Sequence, residues 1–152
     1  MLRFLTYNIH KAIGNDRRYR PERIAEILRA SQADVICLQE VDYGVPRSQS
    51  DDIAHRLAEQ LDFHCALGLN VFLKRGAYGN AILSRYPILH TENLNITYGI
   101  KKARGCLMSK LSLPEGEIAV LNMHLGLAGF ERIRQVRMIL ESSFLQTTEH
   151  LP

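Results

Sequence analysis

Residues 33–42 read ADVICLQEVD, and they contain the strand on which the predicted fold depends. Val35 to Leu38 form an unbroken apolar run, which is typical of a strand that is covered on both faces. Gln39, Glu40 and Asp42 follow directly, so polar side chains collect where the strand leaves its sheet, the edge at which open α/β sheets bind ligands. Glu40 is therefore the first candidate for a functional residue. The ordinary alternative is a solvated acid in a strand-to-loop turn.

The sequence before this strand predicts a strand, a helix and a crossover. Residues 2–9 alternate apolar and polar side chains among β-formers, which indicates a strand that ends at Asn8 and His10. Pro21 opens an amphipathic pattern that ends near Ser31, as expected for a helix with proline in its first turn. A right-handed crossover makes the two strands parallel and brings Asn8 and Glu40 to the same edge.

The remaining chain predicts alternating helices and strands. After a loop at 43–49 the expected elements are a helix capped by Asp51, a strand at 63–69, an exposed hairpin tip within 71–78, a buried strand at 79–84, a strand at 89–97, a bend at 101–105, a hairpin of strands 106–113 and 118–123, a helix at 130–144 and a polar tail at 146–152. The last helix carries four apolar residues at helical spacing with arginines opposite: Ile133, Val136, Ile139 and Leu140.

Composition describes one ordinary globular domain. The 152 residues are 46% hydrophobic and 23% charged, and the net charge of +3 would suit a phosphate-bearing substrate. Cys37, Cys65 and Cys106 are scattered without a C-x-x-C pair, so we interpret them as reduced core thiols in a reducing compartment. The N-terminal apolar stretch is too short for a signal peptide and no long apolar run follows, so we expect a cytoplasmic protein without a membrane span.

Four predicted strand ends carry polar groups that suit phosphate chemistry: Asn8, Glu40, Arg104 in the bend, and Asn122 with His124. A carboxylate, a carboxamide, a guanidinium and an imidazole are the groups that a Mg²⁺-assisted attack on a phosphodiester uses. Glu40 would hold the cation through oxygen. Asn8 is the second residue predicted at the metal, where it would bind the metal's water or a phosphate oxygen. His124 would donate to the phosphate, and Arg104 would clamp it.

Each of these residues also has an ordinary interpretation. An asparagine after a strand is most often a turn former, and a lone histidine is more often a satisfied, partly buried residue than a catalytic one. Arg104 is the weakest candidate, because a bend arginine is usually solvated. Three neighbouring polar residues are expected only to support the site or to shape a strand: His10, Asp42 and Asn80.

Five short motifs occur in the order and spacing of one family: TYNIH at 6–10, LQEVD at 38–42, GNAILSR at 79–85, RG at 104–105 and NMHL at 122–125. Over nearly its whole length the sequence closely resembles the endonuclease/exonuclease/phosphatase family. This family comprises metal-dependent phosphoesterases typified by DNase I and the exonuclease III type of abasic-site nuclease. In detail the sequence looks most like the small bacterial members.

The resemblance implies an α/β (α+β) fold, the DNase I-like four-layer αββα sandwich, of which this chain would supply about the first half. It also implies a Mg²⁺ or Mn²⁺ site at one end. By the same resemblance Glu40 matches the metal-binding glutamate, Asn8 the asparagine of the first motif, and His124 the histidine of the Asn-x-His motif. Asn122 matches the position before it, with a less defined catalytic role.

The sequence departs from the family pattern at its end. Family members continue into a Gly-Asp-Phe-Asn-type motif and a terminal Asp-His pair, whereas this sequence stops at Pro152. We therefore expect residues 1–152 to be a C-terminally incomplete domain of low activity. Half a sandwich would leave an apolar sheet face uncovered, so we expect the missing half or a second copy to cover it.

Two functional hypotheses follow. The first is a Mg²⁺- or Mn²⁺-dependent phosphoesterase that acts on a phosphodiester or phosphomonoester, with nucleic acid among its candidate substrates. The second is a catalytically incomplete remnant that binds a phosphorylated ligand or a protein partner. The loops do not identify the substrate.

Overall fold

Two β-sheets form the centre of the computed structural model, which describes residues 1–147. The first sheet has the strand order β1-β2-β4-β3, with β1 Phe4–Asn8, β2 Val35–Tyr43, β3 His64–Phe72 and β4 Ala77–Ser84. The second has the order β5-β6-β7, with β5 Ile88–Asn95, β6 Gly105–Leu113 and β7 Gly116–Met123. The helices are α1 Pro21–Ser31, α2 Ile53–Leu61, α3 Gly129–Leu140 and α4 Ser143–Thr147.

Helices cover the outer face of the first sheet. Leu28 of α1 and Leu57 of α2 are fully buried in one cluster with Ile36 and Leu38 of β2. The predicted helix from Pro21 to Ser31 is confirmed, and proline occupies its first turn. This cluster fixes the side of β2 that faces away from the second sheet.

The inner faces of the two sheets pack against each other. Val35 and Ile82 of the first sheet share a buried cluster with Leu107 and Leu111 of the second. On the far side of the second sheet, Met108 lies in a third cluster with residues of α3 and α4. The order of layers is therefore helix, sheet, sheet, helix, so the predicted αββα sandwich is confirmed.

The crossover between the first two strands is also confirmed. β1 and β2 are parallel, with Leu5 opposite Ile36 and Asn8 opposite Gln39. The backbone N–H of Ile9 donates to the carbonyl of Gln39 at 3.1 Å, which extends the pairing past Asn8. The ends of both strands therefore lie side by side.

A β-bulge redirects β2 at Glu40. The pairing with β4 shifts between Gln39 and Val41, and Glu40 has a φ of 56°. Regular alternation would place Glu40 on the same face as Leu38, beneath the helices. Val41 takes that buried position instead, so the bulge turns Glu40 toward the end of the sandwich.

The cap of α2 differs from the prediction by one residue. Asp52, and not Asp51, accepts a hydrogen bond from the backbone N–H of His55, at 3.2 Å. The carboxylate of Asp51 instead accepts from the Tyr19 hydroxyl at 2.6 Å and from the Arg56 guanidinium at 2.7 Å. Arg56 lies in the first turn of α2, but Tyr19 lies 32 residues earlier in the chain, so local pattern did not distinguish the two acids.

The predicted helix at 130–144 is wrong in its length, and most of its apolar residues at helical spacing are exposed. α3 ends at Leu140, and a separate short helix follows it. Of the four apolar residues at helical spacing, only Ile139 is buried; Ile133 is 65% exposed and Leu140 64%. An apolar stripe therefore lies on the surface of α3. That the missing half or a second copy covers an apolar sheet face stays a prediction.

Polar contacts explain the rotation of α3 about its axis, which decides the face that it buries. The side chain of Gln135 is fully buried and accepts a hydrogen bond from the backbone N–H of Gly126 at 2.8 Å. The buried Glu131 carboxylate accepts from Gln135 at 3.3 Å and lies 3.4 Å from the Lys101 ammonium. A Cβ on Gly126 would lie 1.9 Å from the Glu131 carboxyl carbon, so only glycine allows this approach. A buried backbone N–H requires a partner, and α3 supplies it.

The predicted polar tail at 146–152 lies largely outside the described residues, which end at 147. Residues 146 and 147 belong to α4. Within the described part of the chain, no helix combines the length and apolar character needed to cross a membrane.

Candidate functional site

Asn8 and Glu40 meet at one end of the sandwich. The Nδ2 of Asn8 donates to Oε1 of Glu40 at 3.3 Å, and its Oδ1 accepts from the backbone N–H of His10 at 3.1 Å. The parallel pairing of β1 and β2 brings these two side chains together, and the bulge completes the approach. Asn8 thus holds the Glu40 carboxylate and the turn at His10 at the same time.

A left-handed turn after β1 brings the Lys11 ammonium to Glu40. His10, Lys11 and Ala12 have φ values of 46°, 63° and 57°, a conformation that non-glycine residues seldom adopt. The turn brings the Lys11 ammonium into direct contact with Oε2 of Glu40, and the Nδ1 of His10 lies 3.5 Å from the same oxygen. Strained backbone of this kind is often found at functional sites.

These contacts keep the Glu40 carboxyl ionised. Burial alone would raise its pKa, but hydrogen bonds from Lys11 and Asn8 outweigh burial and lower the pKa of Glu40 from 4.5 to about 2. The side chain is 14% exposed, so a cation can reach it from one side. At neutral pH the site therefore presents a negative charge that already binds a positive one.

His124 lies between two adjoining clefts at this end of the sandwich. The first is lined by Glu40, Tyr78, Arg104 and His124 together with neighbouring backbone. The second is lined by Asn8 and His124, with Thr6 and Gln39 at its base. The structure thus brings four of the predicted site residues to one rim: Asn8, Glu40, Arg104 and His124.

The environment of His124 favours its neutral form. Burial, and then the positive charge of Arg104, lower the pKa of His124 below its ordinary 6.5. A neutral imidazole carries one N–H donor and one acceptor nitrogen. His124 can therefore donate a hydrogen bond to an anion at neutral pH without a charge of its own.

Arg104 is held in the bend by its backbone and has an unpaired side-chain donor. Its backbone N–H donates to the Thr97 hydroxyl at 3.1 Å, and its carbonyl accepts from Ile96 at 3.0 Å. Its Nε is buried and has no hydrogen-bond partner among residues 1–147. Buried N–H groups are nearly always paired, and an anion bound in the cleft that Arg104 lines would supply the missing acceptor.

Asn122 lies apart from the other predicted site residues. It is 2% exposed, and its Nδ2 donates to the carbonyls of Leu38 and Ala81, each at 2.8 Å. Its Oδ1 accepts from Gln39 at 2.7 Å. Both donor hydrogens are used within the core, so the contacts of Asn122 are those of a positioning residue that joins the two sheets.

The expected supporting residues have structural contacts. Asp42 is fully buried and accepts two hydrogen bonds from Arg47, each at 2.8 Å, and one from Ser48. The Nδ2 of Asn80 donates to the carbonyl of Gly105 at 3.1 Å, which ties β4 to the bend.

Three residues of the site were missed from the sequence. Lys11 directly follows the TYNIH motif, and Tyr78 directly precedes the GNAILSR motif, so proximity to a motif was the available signal. Lys102 lies in the predicted bend at 101–105 but outside the five motifs, and it lines the same cleft as Glu40. Tyr78 lines that cleft too, and Lys11 reaches Glu40 through the turn after β1.

The donor set fits a hard divalent cation that keeps most of its water. Within the described residues, no three His, Cys, Asp or Glu side chains cluster around a point where a metal could bind. Mg²⁺ commonly uses only one or two protein carboxylates and several waters, so the ionised Glu40 is a sufficient anchor. The oxygen of Asn8 accepts from the His10 N–H and has a second lone pair, so the predicted place of Asn8 at the metal stays a prediction.

Two sheets packed face to face between helices, with polar strand ends gathered at one rim, define the DNase I-like class of fold. The chain belongs to the endonuclease/exonuclease/phosphatase family, whose sequence model matches residues 5–124. The motif order that suggested the family is thus confirmed.

Individual relatives agree with this assignment. The Escherichia coli (strain K12) protein YbhP is 35% identical over 147 residues, which cover 90% of this chain and 58% of YbhP. A solved endonuclease/exonuclease/phosphatase from Beutenbergia cavernae DSM 12333 superposes with a TM-score of 0.79 at 29% identity, covering 92% of this chain and 43% of that one. The chain spans a little over half the length of the curated relative it matches.

A more distant structure shows the same fold. D. rerio TDP2, solved in complex with a single-strand DNA product, superposes with a TM-score of 0.70 at 18% identity, and covers 99% of this chain and 56% of that one. At this identity the similarity concerns the fold alone.

Proposed function

We propose that this protein is a phosphoesterase that depends on Mg²⁺ or Mn²⁺ and hydrolyses a phosphodiester or a phosphomonoester. The observation that carries the proposal is the ionised Glu40 carboxylate, turned by a bulge to the rim that Arg104 and His124 share. Family membership supports the same general chemistry. The free thiols support a reducing compartment such as the cytoplasm.

Glu40 would hold the cation, with Asn8 fixing the orientation of the carboxylate. The oxygen that Lys11 now contacts is the one that a cation would bind. A bound Mg²⁺ or Mn²⁺ would supply positive charge that polarises a phosphoryl oxygen.

The other rim residues would act on the phosphate. The unpaired Nε of Arg104 would donate to a non-bridging oxygen as negative charge grows there. The neutral imidazole of His124, which lines the same cleft, would donate a second hydrogen bond. Asn122 would act indirectly, because it aligns the two sheets that carry these groups.

Replacement of Glu40 tests the proposal. We expect Glu40→Gln to lower Mn²⁺-dependent hydrolysis of bis-p-nitrophenyl phosphate by at least about a hundredfold, because the neutral amide no longer anchors the cation. Glu92→Gln is the matched control, since Glu92 lies on β5 and pairs with His90 at 2.9 Å. Undiminished hydrolysis by Glu40→Gln would contradict the assignment.

A second candidate function is the binding of a phosphorylated ligand without hydrolysis. The unpaired Nε of Arg104 favours it, because anion binding there needs no metal. In that case the protein would bind the phosphate ester while neither it nor Glu40→Gln released product. Hydrolysis that depends on both metal and Glu40 would exclude this function.

A further inference from the structure

Three cations from different parts of the chain surround the ring of Tyr78. The Lys11 Nζ lies 5.9 Å from the ring centroid, the Arg47 Cζ 5.3 Å and the Lys102 Nζ 5.4 Å. Each distance is within the range of a cation–π contact. The turn after β1, the loop after β2 and the bend before β6 therefore converge on one aromatic side chain.

The three cations differ in the partners they already have. Lys11 contacts Glu40, and Arg47 is bound through two nitrogens to the buried Asp42. Lys102 is exposed and forms no ion pair with any residue in 1–147. Its ammonium is thus the member of the group that is free to bind a ligand.

The cleft holds an excess of positive charge. Lys11, Arg47 and Lys102 lie on Tyr78, and Arg104 lines the same cleft, whereas the matching acids are Glu40 and Asp42. Both acids are paired with one of these cations. The charges of Lys102 and Arg104 are left without an acid among these groups.

Lys102 and Arg104 lie two residues apart in the bend, and both line the cleft beside Tyr78. An anion bound by the Nε of Arg104 would occupy one position in this cleft. A second anion of the same ligand would then lie against Lys102 and the edge of the Tyr78 ring, which is electropositive.

We propose that Lys102 and Tyr78, whose ring Arg47 also contacts, form a second anion subsite beside the Glu40 rim. It receives the neighbouring phosphate of a ligand that carries two phosphate groups a few bonds apart. This inference rests on the proposed function for the first phosphate, and it makes the protein selective for such ligands over simple monophosphates.

Binding of two matched ligands to the whole chain tests the subsite. Propane-1,3-diol bisphosphate and propane-1,3-diol monophosphate differ only in the second phosphate, and titration calorimetry in metal-free buffer measures both without hydrolysis. We expect the bisphosphate to bind more tightly. Lys102→Gln should weaken the bisphosphate about fivefold and change the monophosphate less than about twofold, as expected for a partly exposed charge.

Two further variants test whether the effect is specific to Lys102 and Tyr78. Lys101→Gln is the control, because the adjacent Lys101 ammonium lies on Glu131 and over the Phe130 ring. It should leave both affinities unchanged. Tyr78→Leu keeps an apolar side chain and should weaken the bisphosphate selectively. Equal losses in Lys101→Gln and Lys102→Gln, or no preference for the bisphosphate, would overturn the subsite.

The outcomes separate the two proposals. If Glu40→Gln abolishes hydrolysis while Lys102→Gln binds both ligands normally, the subsite is wrong and the proposed function stands. If Lys102→Gln loses the preference while neither the unaltered chain nor Glu40→Gln hydrolyses the ester with metal present, the phosphoesterase proposal is wrong and the subsite stands.

Discussion

Glu40 combines the charge of the site with an unusual backbone. Its φ of 56° places a non-glycine residue in the left-handed region, which costs about 1 kcal/mol or more. The bulge that requires this conformation also turns the carboxylate away from the helices and toward Asn8. At the residue scale, backbone strain and position of the acid have one cause.

Comparison of two small side chains at this position isolates the backbone strain. We expect Glu40→Gly to be more stable than Glu40→Ala by about 1 kcal/mol, because only glycine adopts a positive φ without steric cost. Urea unfolding of both variants measures the difference, and neither retains the carboxylate.

Thr91 provides the control for this prediction. It lies in the regular strand β5 and does not have a positive φ, so Thr91→Ala should be the more stable of its alanine and glycine variants. The same order at Glu40 would show that the bulge is absent in solution.

At the scale of the element, three strands carry the three cysteines. Burial raises the pKa of Cys37 on β2 to about 11, and the pKa values of Cys65 on β3 and Cys106 on β6 to about 12. The sequence interpretation of reduced core thiols agrees with these positions.

The thiols should be slow to react in the folded protein. At pH 8 a pKa raised by two units leaves roughly a hundredfold less thiolate than in the unfolded chain. We expect little reaction with Ellman's reagent under native conditions and complete reaction in 6 M guanidinium.

The raised pKa values of the cysteines also determine how the stability of the fold changes at alkaline pH. Because the folded pKa values lie above the ordinary 9.0, the unfolded chain loses its thiol protons first as the pH rises. Stability contributed by the protonated thiols is complete below pH 9 and is lost as the pH rises toward 11. A rapid native reaction at pH 8 would contradict the burial of these strands.

α3 provides a second prediction at the element scale. Ile133→Ser should change the free energy of unfolding by less than about 0.5 kcal/mol, because the side chain already faces solvent. Ile139→Ser should cost about 3 kcal/mol, because Ile139 is packed against the second sheet. Denaturant unfolding of the two variants measures both effects.

A helix that buried all four apolar residues at helical spacing would give a large loss of stability for Ile133→Ser. If it were buried in the stripe at helical spacing, its replacement would cost as much as that of Ile139. Equal losses would therefore show that α3 is rotated in solution relative to this structure.

At the scale of the whole molecule, a buried amide joins the two sheets. Asn122 on β7 donates to two carbonyls of the first sheet and accepts from Gln39. All three partners lie in the core between the sheets, where an unpaired polar group is costly. Asn122 therefore sets how the second sheet, with His124 at its end, lies over the first.

Loss of this amide should destabilise the whole sandwich. We expect Asn122→Ala to lower the free energy of unfolding by about 3 kcal/mol, because the buried Leu38 and Ala81 carbonyls lose the Asn122 donor and the Gln39 amide loses one of its acceptors. Urea unfolding followed by circular dichroism measures the change.

Asn93→Ala is the matched control. Asn93 on β5 also bonds across to the first sheet, with its Nδ2 donating to the Leu69 carbonyl at 3.0 Å, but this residue is exposed. Water can replace the hydrogen bond of Asn93, so Asn93→Ala should lower the free energy of unfolding only slightly. Similar losses for the two variants would show that burial of Asn122 contributes little.

The sequence by itself determined the features that depend on local pattern. The apolar run at 35–38 predicts a covered strand, and the crossover rule makes β1 and β2 parallel, which brings Asn8 and Glu40 to one edge. Motif order predicts the family and the layered fold. These inferences succeed because periodicity, turn chemistry and handedness act over a few neighbouring residues.

Only the tertiary structure decided the features that depend on partners far apart in the chain. The bulge at Glu40 depends on the register with β4, and the rotation of α3 depends on the buried N–H of Gly126. The burial of Asn122 and the cations around Tyr78 join segments that no local pattern relates. Strand register, helix rotation and amide pairing depend on which buried polar groups can form hydrogen bonds with one another. Those groups come together only when the layers pack.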